Sequence, residues 1–251
     1  GRRRWESAFW GLLECVAMAQ ASLHWTLLKA DLFGRVEYGH SIGADAQTAA
    51  QEDLVRRDTR VARWWVRPLA RALAAREART LLAMEQRLPA LAGVRFPRLV
   101  LWHKGILLRS WLEGTAMQHA KPTDPLYHQQ LLSLLARLHF QGVTHNDLAK
   151  EPNILVLADG TPALLDLQLG RAARQRGAWF RFLAREDLRH LLKHKRSYCA
   201  WALTQRELHI LATPSWLARV WRQTGKRGYL FVTRRLLQWQ DREGAGDRGG
   251  P

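Results

Sequence analysis

Cysteine is almost missing from this 251-residue chain: Cys15 and Cys199 are its only two. Two distant cysteines make no disulfide framework and no clustered metal-ligand pattern, so the fold must rest on a packed core, and a reducing compartment such as the cytosol is expected. Long apolar runs are lacking too. No stretch reaches the 18 or so residues that a transmembrane helix needs. Arg2 to Arg4, an apolar run at 9–19 and Ala19-Gln20-Ala21 imitate a secretory signal, but Glu14 interrupts the run, which reads instead as a helix. Lysine is scarce, with seven against 32 arginines, and acidic residues number only 22. The formal net charge of +17 implies an anionic partner: a phosphate-rich ligand, a nucleic acid or a membrane surface.

What is present has an order along the chain. Short apolar runs on either side of Gly34, within residues 25–38, predict a strand hairpin. Residues 41–53 read as a polar loop and 54–57 as a short strand. Pro68 sets the start of a helix running through Met84, with Leu69, Leu73, Leu81 and Met84 as its buried stripe. Residues 99–102 and 106–111 read as strands around the turn His103-Lys104-Gly105. Beyond Gly114 the signal turns helical: Leu126, Leu131, Leu134, Leu135 and Leu138 mark one helix, and residues 186–195 and 204–212 mark two more. This pattern predicts an α+β protein, with a strand-rich first part at 1–113, a helical second part at 114–243 and a disordered tail at 244–251.

The segment most informative about chemistry is a predicted hairpin. Apolar runs at 154–156 and 163–167 flank Asp159-Gly160, a dipeptide suited to a two-residue type I′ turn. In that register Asn153 and Asp166 face each other, with Cβ atoms about 4.5–5.5 Å apart. Hard oxygen ligands so placed suit a magnesium ion, which takes one or two ligands from protein and the rest from phosphate and water. A longer turn, which Pro162 would favour, shifts this register.

Just upstream, His145-Asn146-Asp147-Leu148 followed by Asn153, an apolar strand and Asp166-Leu167-Gln168 resembles the catalytic loop and metal-binding aspartate of the protein-kinase-like superfamily. The resemblance implies a two-lobed fold with a small strand-rich N-lobe and a reduced helical C-lobe. It also implies ATP and Mg2+ as cofactors. Asp147 would accept the hydroxyl proton, Asn153 and Asp166 would hold the metal, His145 would be structural, and Lys150 would meet the charge developing on the phosphoryl group. Further likenesses follow in order. Leu32-Phe33-Gly34-Arg35-Val36 is similar to the end of a glycine-rich loop, placing Gly34 at the nucleotide, and Glu77 to the ion-pairing glutamate of the αC helix. Trp111-Leu112-Glu113-Gly114 resembles the hinge that receives adenine, and Asp187 the aspartate that supports the catalytic loop.

The departures narrow the family. Asn153 lies six residues after Asp147 where kinases place it five after, Asn146 replaces the usual arginine, and no Ala-Pro-Glu platform follows. No lysine occurs between Lys29 and Lys104, so the β3 lysine is missing; Arg57, 20 residues before Glu77, is the first candidate to contact phosphate, with Arg56 and Lys29 behind it. The chain resembles most the lipopolysaccharide-core (Kdo and heptose) sugar kinases and, less closely, the RIO-type kinases. That implies an ATP-dependent phosphotransferase acting on a hydroxyl of a lipopolysaccharide-core sugar or related glycolipid. The alternatives are an atypical protein Ser/Thr kinase and a nucleotide-binding pseudokinase. A nucleic-acid partner explains the charge but leaves the catalytic-loop pattern unexplained. Arg60, Arg63, Arg67 and Arg71 recur at helical spacing beside Trp64 and Trp65. This predicts either a basic helix face resting on the cytoplasmic side of an anionic membrane, or a solvated face over buried tryptophans.

Overall fold

The computed structural model describes residues 23–41 and 53–213. The predicted helix at 9–19, most of the polar loop and the 244–251 tail lie outside the described residues. The chain forms two compact units, one of Gly1–Glu113 with Asp166–Ala172, the other of Gly114–Leu165 with Ala173–Pro251.

In the first unit, strands β1 (Leu23–Asp31), β2 (Gly34–Ser41), β3 (Leu54–Asp58), β4 (Leu99–His103) and β5 (Ile106–Ser110) form one antiparallel sheet in the order β1-β2-β3-β5-β4. Lys104 and Gly105, both at positive φ, make the two-residue turn between β4 and β5, as a type I′ hairpin requires. Helix α1 (Arg67–Arg87) connects β3 to β4 and packs against β4. Pro68 stands in its first turn, where a missing N–H costs nothing. Its buried stripe differs from the predicted one: Ala70, Ala74, Glu77, Ala78, Leu81 and Met84 are buried, whereas Leu69 is exposed. Alanines let the helix approach the sheet closely, and the pairing of Glu77 described below fixes the same phase. Arg60 and Arg63 are not helical, which corrects the four-arginine helix face. They lie in turns before α1, and only Arg67 and Arg71 are on it.

The second unit is built on α2 (Pro125–Phe140), α3 (Ala178–Tyr198) and α4 (Gln205–Ala212), with a small sheet of β6 (Thr115–Ala116), β7 (Ile154–Val156) and β8 (Pro162–Leu164). Asp124 caps α2 by accepting the Leu126 N–H, and Thr204 with Glu207 forms a capping box on α4. Leu131, Leu135 and Leu138 of α2, Leu191 and Leu192 of α3, and Ile154 and Leu164 of the sheet are buried core residues.

The β7–β8 hairpin corrects the predicted register. Ile154 faces Leu164 and Val156 faces Pro162, so Asn153 aligns with Leu165 rather than Asp166; the Leu165 N–H donates to the Asn153 carbonyl at 2.8 Å. A type I′ turn needs positive φ at both central residues, and here only Gly160 (φ 76°) has it. Asp159 instead accepts the Thr161 N–H through its side chain, and the Gly160 N–H donates to Leu157. The loop therefore spans three residues and moves the pairing by one. Asp166 stands beyond the strand, in the left-handed region at φ 53°.

Two glycines separate packing from backbone freedom. At Gly34 (φ 130°) an added Cβ would lie 2.1 Å from the Asp58 carbonyl oxygen, whereas at Gly160 it would meet nothing within 4 Å. Gly160→Ala should cost about 1 kcal/mol, the left-handed strain alone. Gly34→Ala should cost clearly more, on the order of 3 kcal/mol, because strain and collision add. Urea unfolding of the two variants checks the difference, and equal losses would mean that β2 moves freely away from Asp58.

Candidate active site

Within the second unit the geometry begins at a buried carboxylate. The Asp187 side chain, 1 % exposed, accepts the His145 N–H at 2.8 Å and the Asn146 N–H at 2.7 Å, with His139 Nε2 3.2 Å from it. Asn146 sits at φ 66°, so the chain turns sharply here and those N–H groups have no strand partner. Imidazole contacts hold the same turn. His145 Nε2 lies 2.8 Å from the Leu165 carbonyl and must donate to it, which leaves Nδ1 to receive the Asp147 N–H at 3.4 Å. His145 is completely buried and has a structural place.

Asp147 is 8 % exposed. Asn153 Nδ2 donates to its carbonyl at 3.0 Å and to its Oδ2 at 3.1 Å, and Lys150 Nζ lies 3.1 Å from the same Oδ2. Both amide hydrogens of Asn153 are thus directed at Asp147, which leaves its oxygen as the end suited to a hard cation. Lys150 is half exposed and places its charge beside Asp147. The additional residue of the loop is clamped by α3: Tyr198 donates to Glu151, His194 Nδ1 lies 3.5 Å from Glu151, and His194 Nε2 lies 2.8 Å from the Leu148 carbonyl. Neither of these two clamping residues was singled out in the sequence, because α3 is remote from the loop along the chain.

A second cluster is internal to the first unit. Successive β3 side chains point to opposite faces, which separates the two adjacent arginines. Arg56 pairs with Glu37 at 2.8 Å and lies 4.1 Å above the Trp25 ring, while Lys29 pairs with exposed Asp31. Arg57 turns the other way. Its Nη1 is 3.4 Å from Glu77 and donates to Gln168 at 2.8 Å, and its Nη2 is 3.7 Å from Asp166. Gln168 in turn donates to Asp166 at 3.2 Å. Burial works against the charge of Arg57, but Glu77 and Asp166 outweigh it and raise its pKa above the ordinary value. Of the three cations weighed for the phosphate contact, Arg57 is therefore the one joined to Glu77 and Asp166.

Arg109 is another residue that sequence reasoning missed. Its Nε lies 3.4 Å from the other Glu77 oxygen, and burial pushes its pKa down. The available signal was an arginine inside the apolar strand Ile-Leu-Leu-Arg-Ser, a position that demands a buried anion. Glu77 is thus shared by two guanidinium groups.

The other predicted nucleotide contacts are placed as follows. Gly34 ends the β1–β2 turn against Asp58. The Trp111 N–H donates to the Asp53 carbonyl at 2.7 Å, its ring lies 4.9 Å from that of Tyr38, and Leu112 is buried. The hydrogen bond from Tyr38 to Asp53 and burial push the phenol up to about 12. Trp111 therefore gives its amide to the sheet. Among the described residues no group of three or more His, Cys, Asp or Glu side chains is placed to hold a metal. Asn153 and Asp166 each present a hard oxygen, the donor type that magnesium takes.

The RIO domain family model matches residues 45–208. A Rio2 kinase–ADP/Mg2+–phosphoaspartate complex from Chaetomium thermophilum is similar in structure, with a TM-score of 0.53 and 14 % identity over 90 % of this chain and 74 % of that one. The Rio2 kinase from the same organism, in a further crystal structure, gives a TM-score of 0.56 and 16 % identity over 91 % and 78 %. No curated protein sequence matches the chain significantly.

The shared glutamate has a measurable signature. Arg57→Met and Arg109→Met should each cost about 1–2 kcal/mol, since one guanidinium still faces Glu77. The double variant should cost more than their sum by over about 1 kcal/mol, because it leaves a buried carboxylate alone. Glu77→Gln in that background should recover most of the excess. Additive losses in chemical unfolding would show that the two arginines do not share Glu77.

Proposed function

The chain belongs to the RIO domain family, and on that premise we propose that it is an atypical protein kinase, transferring phosphoryl from ATP with magnesium to a protein hydroxyl. One observation carries the reading. Asp147 is held between Asn153 and Lys150 on a loop whose backbone is fastened to Asp187, the arrangement a positioned proton acceptor requires. The acceptor hydroxyl would give its proton to Asp147 Oδ2, while Lys150 balances charge at the same oxygen. Asn153 and Asp166 are the residues that would hold the metal, and Arg57 the one that would face phosphate. Bound magnesium nucleotide supplies the transferable phosphoryl group and screens its charge; positioning is left to the chain's own residues.

The pseudokinase alternative is favoured by the missing β3 lysine. It is weakened by Arg57, which supplies a cation beside both Glu77 and Asp166. A lipopolysaccharide-core sugar is the second acceptor reading, favoured by one observation: Trp64 and Trp65 are exposed among arginines, where a lipid-linked acceptor would be met. It ranks behind a protein hydroxyl because the family match is to the RIO domain.

Asp147→Asn should lower phosphoryl transfer roughly 10²–10⁴-fold with nucleotide affinity and thermal stability nearly unchanged. Labelled ATP, magnesium and a fractionated lysate provide the assay. Label in protein fractions supports the proposed acceptor, label in a glycolipid fraction transfers the assignment to the sugar, and equal turnover by the variant removes Asp147 from the mechanism. Asp166→Ala should weaken nucleotide binding in calorimetry with magnesium but much less without it. Equal affinity in the variant and the unaltered protein under both conditions would exclude Asp166 as a metal ligand.

A further inference from the structure

The segment between β3 and the first turns of α1 carries apolar side chains that the fold does not use. Trp64 is 80 % exposed, Leu69 54 %, Val61 49 % and Trp65 46 %. Four large apolar side chains within nine residues are more than scattered surface exposure accounts for. The backbone beneath them is well tied. The Val66 and Arg67 N–H groups both donate to the Arg63 carbonyl at 2.9 Å, and the Arg63 N–H donates to Leu32 at 3.2 Å. The apolar groups therefore stand on a held turn.

The charge around them has one sign. Between Asp58 and Glu77 the sequence contains Arg60, Arg63, Arg67, Arg71 and Arg76 and no acidic residue. Arg67 bonds back to the Ala62 carbonyl and Arg60 pairs with Asp58, whereas Arg63 and Arg71 are exposed. Folding adds a further cation. The Thr59 N–H and hydroxyl both donate to the Gly105 carbonyl, and a Cβ on Gly105 would lie 3.5 Å from Arg71 Nε, so the β4–β5 turn brings exposed Lys104 beside Arg71.

We propose that Val61, Trp64, Trp65 and Leu69, ringed by Arg60, Arg63, Arg71 and Lys104, form a docking surface for an anionic lipid bilayer. The partner must be apolar and anionic at one plane. Tryptophan and arginine both favour the bilayer interface, where the indole enters the headgroup boundary and the guanidinium stays with phosphate. A nucleic acid offers phosphate and stacking but nothing for Val61 and Leu69. Among the described residues no helix is long and apolar enough to cross a membrane. The proposal is independent of the kinase reading.

Sedimentation with vesicles of phosphatidylglycerol and phosphatidylcholine, against phosphatidylcholine alone, tests it without turnover. The full chain should bind the anionic vesicles and ignore the neutral ones. Arg63→Gln with Arg71→Gln and Lys104→Gln should weaken binding on the order of a hundredfold. Trp64→Ser with Trp65→Ser leaves every charge in place and should still weaken it about tenfold or more. This loss should persist at high salt, where surface charges are screened. All five positions are at the surface, so circular dichroism should show both variants folded. Binding unchanged in the tryptophan variant would reduce the contact to bulk charge and overturn the proposal, as would no binding at low salt. So would tighter binding to an RNA oligonucleotide that the same variants abolish, or self-association in ultracentrifugation that they abolish.

Discussion

Two backbone N–H groups, those of His145 and Asn146, leave regular pairing where the chain turns into the candidate catalytic loop, and both end on the buried carboxylate of Asp187. An unpaired buried N–H costs about 1–3 kcal/mol, and hydrogen bonds to a charged acceptor are roughly twice as strong as neutral ones. One side chain on α3 thereby holds a left-handed residue that the loop could not maintain by itself. His145 extends the same support to Leu165 and to the Asp147 N–H. The orientation of Asp147 therefore depends on a residue 40 positions further along the chain.

A comparable constraint organises the sheet unit. Glu77 is 1 % exposed, a placement that an ionised carboxylate tolerates only with cations around it. Two arginines on neighbouring strands, Arg57 of β3 and Arg109 of β5, supply them. In the familiar single lysine–glutamate arrangement one cation both anchors the helix and contacts phosphate. Here Arg57 and Arg109 both meet Glu77, and Arg57 also reaches Asp166 and Gln168. A planar guanidinium fork can meet several acceptors at once, as Arg57 does.

Short-range patterns account for most of what was legible in the sequence. Alternation and turn residues located the strands, Pro68 and the leucine spacing located the helices, and the His-x-Asp-Leu run brought Asp147, Lys150 and Asn153 together. These features depend on neighbours within a few positions. The errors have equally local causes. A side-chain bond from Asp159 to Thr161 favoured a three-residue loop over a type I′ turn and shifted Asn153 from Asp166 to Leu165. On α1 the small alanines, rather than Leu69, face the sheet. The arginine spacing that imitates a helix begins seven residues before the helix does.

The sequence by itself determined the order of elements, the class of fold and the residue pattern of the loop, because propensity, capping and motif spacing act over a turn or a hairpin. Only the tertiary structure decided which arginine serves Glu77, that Arg109 shares it, that His194 and Tyr198 clamp the additional loop residue, and that the β4–β5 turn lies against Arg71. Each of those contacts joins residues tens of positions apart. A buried charge identifies its partner by distance and by exclusion of water, and neither is written in the spacing of residues along a chain.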